Sequence, residues 1–259
     1  IAILLMKLSS LSNSIYFDFE KTIFLKSPNF ILSIILFISF STFSNQVTEL
    51  TCYGTTFSPY SFIKNGVVSG INIDLISAVS KQLNISVTFK IMPWQRLLQN
   101  IAANKIDCAT AFFKTSTRVN NMVFMEEPLS ITDYTLFIHK KNAHKYKSLI
   151  DFDGTSIGVN RGFKTMPEFE NAVYKYNINK YEVGDEQQSF QMLSTFRLQG
   201  VLTDNTVGMF NIKELDLHDI VPLKPPFKSI PVFLVFSKKN KGLGLVKKFD
   251  QALIALKQD

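Results

Sequence analysis

The chain is 259 residues long, room for one large domain or two small ones. It is 46% hydrophobic and 19% charged, which excludes a disordered or collagen-like chain and permits a sizeable core. Two cysteines exclude a disulfide-dense scaffold, and the net charge of +7 rests on scattered lysines without interleaved stacking aromatics, which argues against a nucleic-acid partner.

The first 44 residues read apart from the fold. Phe30 to Phe43 is an uncharged run without Gly or Pro, preceded by Lys21 and Lys26 and ending among the small residues Thr42 and Ser44. Basic start, short apolar run and small-x-small site predict a secretory leader cut near Ser44, hence export to the periplasm. The run is shorter than the roughly 20 apolar residues of a membrane span. An uncleaved anchor and a buried helix are the alternatives. Residues 1–25 fit neither leader nor domain; with Ile1 first and Met6 close behind, they are expected to come from an upstream start.

From Leu50 onward, strand-like and helix-like patterns alternate. Leu50 to Tyr53 predicts a strand, and apolar residues at 75, 76, 79 and 83 give Asp74 to Leu83 a helical face. Val87, Phe89 and Ile91 alternate as in a strand. Leu97, Leu98, Ile101 and Ala102 mark a helix, and Ile106 to Ala111 the next strand. Tyr134, Leu136 and Ile138 alternate again. Asp153-Gly154 is a turn signal before a strand at Ile157 to Val159. Helical faces follow at Phe169, Ala172, Val173 and Tyr176, and at Phe190, Leu193 and Phe196. Val201 to Thr203 and Val232 to Phe236 predict strands, and Leu243 to Leu256 a closing helix. Pro222, Pro225 and Pro226 form one stiff stretch, a candidate crossing between lobes. The alternation predicts an α/β fold with mainly parallel sheets, whose ligands collect at strand carboxyl ends.

The order of short motifs adds a resemblance. TTFSPYSF (55–62), NGVVSGINIDLI (65–76), MPWQRLL (92–98), NKIDCATAFFKTSTR (104–118) and FMEEPL (124–129) are followed by LIDFDGTSIGVNRG (149–162), GVLTDN (200–205) and PVFLVFSKK (231–239). Together they resemble the extracytoplasmic solute-binding proteins of family 3, the polar amino-acid binders of ABC importers, from about Leu50 to Leu256. The resemblance implies a two-lobed periplasmic-binding-protein-like (type II) fold with the ligand cleft between lobes and a hinge motion that closes it. Carried onto this chain, one lobe is 45–129 plus 230–259 and the other 134–225. It further implies a small-molecule ligand (an amino acid or related carboxylate), an ABC permease as partner, a monomer, and no cofactor or metal.

An α-amino acid taken out of water needs its carboxylate and ammonium paired, because an unpaired buried charge is costly. Arg118 matches the arginine of the family's T-x-x-R motif, here Thr115 to Arg118; that arginine holds the ligand carboxylate, for which a guanidinium fork is suited. Asp204 matches the acidic residue after the second-lobe strand and is expected either to accept the ligand ammonium or to cap the helix that follows. Trp94 and Phe57 match opposing aromatic walls able to sandwich a side chain or cation, with ordinary packing as the alternative. Tyr60 is expected either to contact the ligand or to shape its loop. Arg161, at a strand end, is expected to face the cleft or to pair with a carboxylate, and Arg96 to support Trp94. Two departures stand out: Phe113 and Phe163 occupy positions where the family usually carries a hydroxyl that helps bind the α-carboxylate. They make the cleft more apolar and point to a ligand bound differently or to one that is not a standard α-amino acid. Cys52 and Cys108 fall on two strands of one lobe and are expected as buried thiols rather than a bridge.

Nothing in the sequence demands catalysis: there is no G-x-x-x-x-G-K, G-x-S-x-G, H-E-x-x-H or C-x-x-C. His139 and His144 read as a solvated Lys-rich loop, and His218 as exposed. The competing readings are a ligand sensor for a membrane receptor and an enzyme like the cyclohexadienyl dehydratases of the same fold, for which Glu126, Glu127 or Asp204 would have to supply the acid.

Overall fold

The structure, a computed structural model, describes residues 48–238 and 244–258. The leader expected over residues 1–44 lies outside them. Among the described residues no helix is long and apolar enough to cross a membrane.

Strand β1 (Thr48–Gly54) leads into a hairpin of β2 (Phe62–Lys64) and β3 (Val67–Ser69), then helix α1 (Ile71–Gln82), β4 (Ile85–Ile91), α2 (Trp94–Ala102) and β5 (Cys108–Phe113). A single helical turn, α3 (Ser116–Val119), and β6 (Met122–Phe124) precede the long strand β7 (Ser130–His139). Next come β8 (Ser156–Asn160), α4 (Pro167–Lys175), β9 (Asn179–Val183), α5 (Glu186–Ser194), β10 (Gly200–Asp204), α6 (Asn205–Glu214) and β11 (Ile220–Pro222). A second long strand, β12 (Lys228–Ser237), and helix α7 (Val246–Gln258) close the described chain. Local chemistry sets several boundaries. Asn65 and Gly66, at φ 51° and 79°, supply the left-handed pair that a two-residue hairpin turn needs. The Asp185 carboxylate accepts the Gln187 N–H and caps α5, and the Asp204 carboxylate caps α6.

The main sheet runs β4-β1-β5-β12-β7-β10-β8-β9, with β6 added on β12 and β11 on β7. It is mixed, whereas alternation predicted mainly parallel pairing. Each wing is parallel, β1 with β4 and β5 on one side, β8 with β9 and β10 on the other. The centre is antiparallel, because β7 and β12 run past each other from Ser130↔Val232 to Tyr134↔Lys228 and carry the chain between the wings.

Core clusters sort by wing. Leu50, Ile76, Val79, Phe236, Phe249 and Leu253 pack on one face of the first wing, and Leu97, Ile101, Phe112 and Val235 on the other. Phe152, Ile157, Phe169 and Leu202 fill one face of the second wing, and Phe137, Phe190, Leu193 and Val201 the other. Each fully buried Phe or Leu contributes roughly 1.5–3 kcal/mol. The helices' apolar stripes are thus consumed by the sheet, which leaves strand ends and helix starts to make a site.

Two expectations are corrected here. Cys52 and Cys108 are not free thiols: they are register partners on the parallel pair β1–β5, their Cα atoms lie 4.5 Å apart, and a disulfide joins them. Register, invisible in the sequence, puts both side chains on one face at one height. His139 is not solvated. It ends β7, is buried, and stacks on Phe196 at 4.4 Å while its Nδ1 accepts the Lys141 N–H.

Candidate ligand-binding site

The carboxyl ends of β1 and β5, the starts of α1 and α2, the turn α3 and the first half of β7 converge on one cavity. Thr55, Phe57 and Tyr60 line it from the loop after β1, and Asn72 and Trp94 from helix starts. Ser130, Thr132 and Tyr134 alternate along β7, so the strand's two-residue period presents all three to the same space. Phe163 and Lys164 close it from the loop after β8. The cavity is about 40 Å³, room for roughly three water molecules.

Two backbone devices shape this wall. Gly70, at φ 130°, begins α1 against the β1 loop; a Cβ there would stand 2.5 Å from the Tyr60 carbonyl oxygen. The close approach lets the Ile71 and Asn72 N–H groups donate to the Pro59 and Tyr60 carbonyls, each at 3.0 Å. On β5, the pairing with β12 slips between Phe233 and Val235, and Ala111 adopts φ 62°. This bulge spends backbone strain at the cavity wall, where Thr110 and Ala111 both line it.

Arg118 is 8% exposed. Its Nη1 donates to the Phe113 carbonyl at 3.1 Å, and its guanidinium lies 5.2 Å from the Trp94 ring and 5.4 Å from the Phe112 ring. Among the described residues no carboxylate pairs with it. Burial lowers its pKa from the ordinary arginine value. Thr115 caps α3, its hydroxyl accepting the Arg118 N–H at 3.4 Å, and so fixes where the arginine stands; it does not itself line the cavity.

Phe57 and Trp94 do stand as walls, but Phe163 is between them, its centroid 5.5 Å from Phe57 and 5.3 Å from Trp94. The Trp94 indole N–H donates to the Gly162 carbonyl at 3.0 Å, which holds the β8 loop against α2. Tyr60 stacks on Phe57 at 5.9 Å and donates its hydroxyl to Asp204 at 3.1 Å. Burial, then the nearby Asp204 charge, pushes the Tyr60 hydroxyl up to about 12.

Asp204 is 1% exposed and lies behind the cavity wall. Its carboxylate collects the Tyr60 hydroxyl and the backbone N–H groups of Val207, Thr206 and Asp133. Burial raises its pKa from the usual aspartate value, and those donors oppose the rise. Arg161 is not brought to the cavity: it is exposed, and its Nη2 donates to the Glu182 carbonyl at 3.4 Å. Arg96 is exposed as well. Glu126 and Glu127 are held away from the cavity, their N–H groups donating to Asp250 of α7 and Glu127 pairing with Lys257 at 2.7 Å.

Several wall residues carried no sequence signal. Asn72 Oδ1, Thr110 Oγ1 and Ser130 Oγ are buried without a hydrogen-bond partner, and all three residues line this one cavity. Tyr134, which shares the cavity wall with Arg118, has its hydroxyl pKa raised by burial first and by Glu186 and Asp204 next. Glu186 starts α5 and accepts from Asn160 Nδ2 at 2.6 Å and from the Thr203 hydroxyl at 2.7 Å; burial pushes its carboxyl up to about 7.

The sequence matches the bacterial extracellular solute-binding proteins, family 3, over residues 51–259. The chain belongs to that family. Among its relatives, the ABC transporter arginine-binding protein 1 of Escherichia coli (strain K12) is 24% identical over 224 residues, 84% of this chain and 89% of its own. The Probable amino-acid-binding protein YxeM of Bacillus subtilis (strain 168) is 22% identical over 206 residues, 78% of this chain and 75% of its own. A solved ancestral arginine-binding protein bound to arginine superposes with a TM-score of 0.72 at 26% identity, covering 82% of this chain and 93% of the other. The architecture is the two-lobed type II fold of family 3.

Proposed function

We propose that this chain is an extracytoplasmic receptor that captures a small carboxylate, an amino acid or a close relative, and delivers it to an ABC permease. The observation that carries the reading is Arg118: a buried cation in a cavity wall, with one donor spent on a carbonyl and no described carboxylate to neutralise it. A ligand carboxylate supplies the missing charge, and the fork and flanking rings fix its orientation. Membership of family 3 and relatives named for amino-acid binding support it.

In this reading the lobes are 45–129 plus 230–259 and 134–225, hinged where β7 and β12 cross, and the leader exports a monomer. The protein binds without catalysis: Glu126, Glu127 and Asp204 are not among the residues that line the cavity, and Glu127 pairs with Lys257. Thermal-shift measurement against amino acids and related carboxylates tests it. A stabilising ligand at 100 times Kd contributes about 2.7 kcal/mol. The expected result is a clear shift with at least one carboxylate, lost in Arg118→Ala; no shift with any carboxylate overturns the proposal.

A further inference from the structure

Relatives named for arginine binding suggest a cationic amino acid, but the wall of this cavity is built for something else. The charged side chains that line it are Arg118 and Lys164, both cations; no carboxylate stands among the lining residues. The nearest acid of use, Asp204, already holds four donors, one of them the Tyr60 hydroxyl from the other half of the fold. An ammonium entering this space would have to displace Tyr60 or go without a counter-charge, its hydrogen bonds falling to neutral oxygens alone, and a buried charge with no opposite charge beside it is costly. Meanwhile Asn72 Oδ1, Thr110 Oγ1 and Ser130 Oγ wait unpartnered in the same wall. Buried polar atoms are rarely left so, and these three are neutral. Asn72 Oδ1 accepts and the two hydroxyls accept or donate, so they match a hydroxyl or amide N–H on the ligand, groups that donate a hydrogen bond without bringing charge. The rest of the permanent wall is aromatic, with Phe57, Trp94, Phe113 and Tyr134 among its lining, and Phe163 stands between Phe57 and Trp94 where the ligand's body would lie.

Resting on the carboxylate-receptor reading above, we infer that the preferred ligand is a carboxylate with an apolar body and a neutral oxygen function, such as a 2-hydroxy acid, in place of the α-ammonium of an amino acid. Arg118 takes the carboxylate, Asn72 with the Ser130 and Thr110 hydroxyls takes the neutral oxygen, and the aromatic ring wall takes the body. Tyr60 acts as the specificity determinant, because its hydroxyl closes Asp204 to an incoming cation.

Calorimetric titration of the purified protein with matched pairs tests this: L-lactate against L-alanine, L-2-hydroxyisocaproate against L-leucine, L-3-phenyllactate against L-phenylalanine, with L-arginine as the cationic probe. The expected result is at least tenfold tighter binding of the hydroxy acid in the pair that binds best, and no binding of L-arginine. Tyr60→Phe, which frees one acceptor position on Asp204, is expected to narrow that ratio at least threefold. An amino acid binding as tightly as its hydroxy partner, or tight binding of L-arginine, overturns the inference and leaves the receptor reading standing. A ratio that Tyr60→Phe leaves unmoved overturns the role given to Tyr60. Failure of every carboxylate to bind overturns the receptor reading and this inference together.

Discussion

Tyr60 and Asp204, 144 residues apart in the chain, meet in a buried hydrogen bond of 3.1 Å. The tyrosine comes from the loop after β1 and the aspartate from the end of β10, so one bond ties the two wings of the sheet behind the cavity wall. Its donor stays protonated over the whole working pH range, since burial holds the hydroxyl at about 12. Hydrogen bonds to charged groups contribute about 1.5–3 kcal/mol. Tyr60→Phe is expected to lose about 2 kcal/mol in urea denaturation and to leave α6 intact, because the Val207 N–H still caps on Asp204. Asp204→Ala, which removes cap and latch at once, is expected to cost more than Tyr60→Phe. An Asp204→Ala variant no less stable than Tyr60→Phe would refute this division of roles.

Glu186 makes stability depend on pH. Its ordinary value is 4.5, and burial, relieved in part by Thr203 and Asn160, holds it at about 7 in the folded chain. The folded state therefore binds the proton more tightly than the unfolded state. Stability from this group is greatest below about pH 4.5 and falls as pH rises through 7. By pH 8 the loss amounts to roughly 3 kcal/mol. Glu186→Gln keeps an oxygen for both donors and removes the titration. Urea midpoints from pH 5 to 8 are expected to fall less steeply in the variant than in the parent; parallel slopes would show that Glu186 does not titrate there.

How much of this was legible in the sequence follows from what each feature depends on. The order of the longer elements was, because hydrophobic period survives in Ile76 and Val79 of α1 and in the alternation along β7, whereas the short strands β2, β3, β6, β9 and β11 carry too little pattern to read. The positions of Arg118, Trp94 and Phe57 on the cavity wall were also legible, since each sits in a motif at a strand end or helix start. Asp204 was readable both as ligand acceptor and as cap, and only its neighbours in the fold show the cap occupied. What failed depended on pairing between distant segments. The Cys52–Cys108 bridge needs parallel register, and the Ala111 bulge needs the slip against β12, which no local residue announces. Arg161 ends its strand as expected, yet its side chain follows the neighbouring β9 carbonyl away from the cavity. Asn72, Thr110 and Ser130 are ordinary polar residues until burial strips them of water.

The disulfide gives a measurable increment. It closes a loop with a sequence separation of 56, for which chain entropy predicts about 4 kcal/mol. The joined strands β1 and β5 both end at the cavity, so the bridge also fixes Thr55 relative to Thr110. Cys52→Ala/Cys108→Ala is expected to lose several kcal/mol in urea denaturation, roughly 2–4 after relaxation of the core. Dithiothreitol is expected to lower the parent midpoint and leave that of the double variant unchanged. Equal midpoints for parent and variant without reductant would mean that strand pairing alone sets the geometry.

Phe163 fills the slot that two aromatic walls would otherwise offer. It is half-buried, so its contacts with Phe57 and Trp94 contribute less than a full core phenylalanine, about 1–2 kcal/mol. A ligand larger than the roughly three waters the cavity holds has to move this ring or part the halves of the fold. Trp94 reports the event, because it is the chain's one tryptophan and its indole is in contact with Phe163 and bonded to the Gly162 carbonyl. Binding of a carboxylate to the parent is expected to shift tryptophan emission. Phe163→Ser clears the slot and adds a hydroxyl beside Arg118's wall, so it is expected to lower stability by about 1–2 kcal/mol and to tighten carboxylate binding about tenfold, the ligand no longer displacing a packed ring. Weaker binding in Phe163→Ser would show that the ring is a contact for the ligand rather than its competitor.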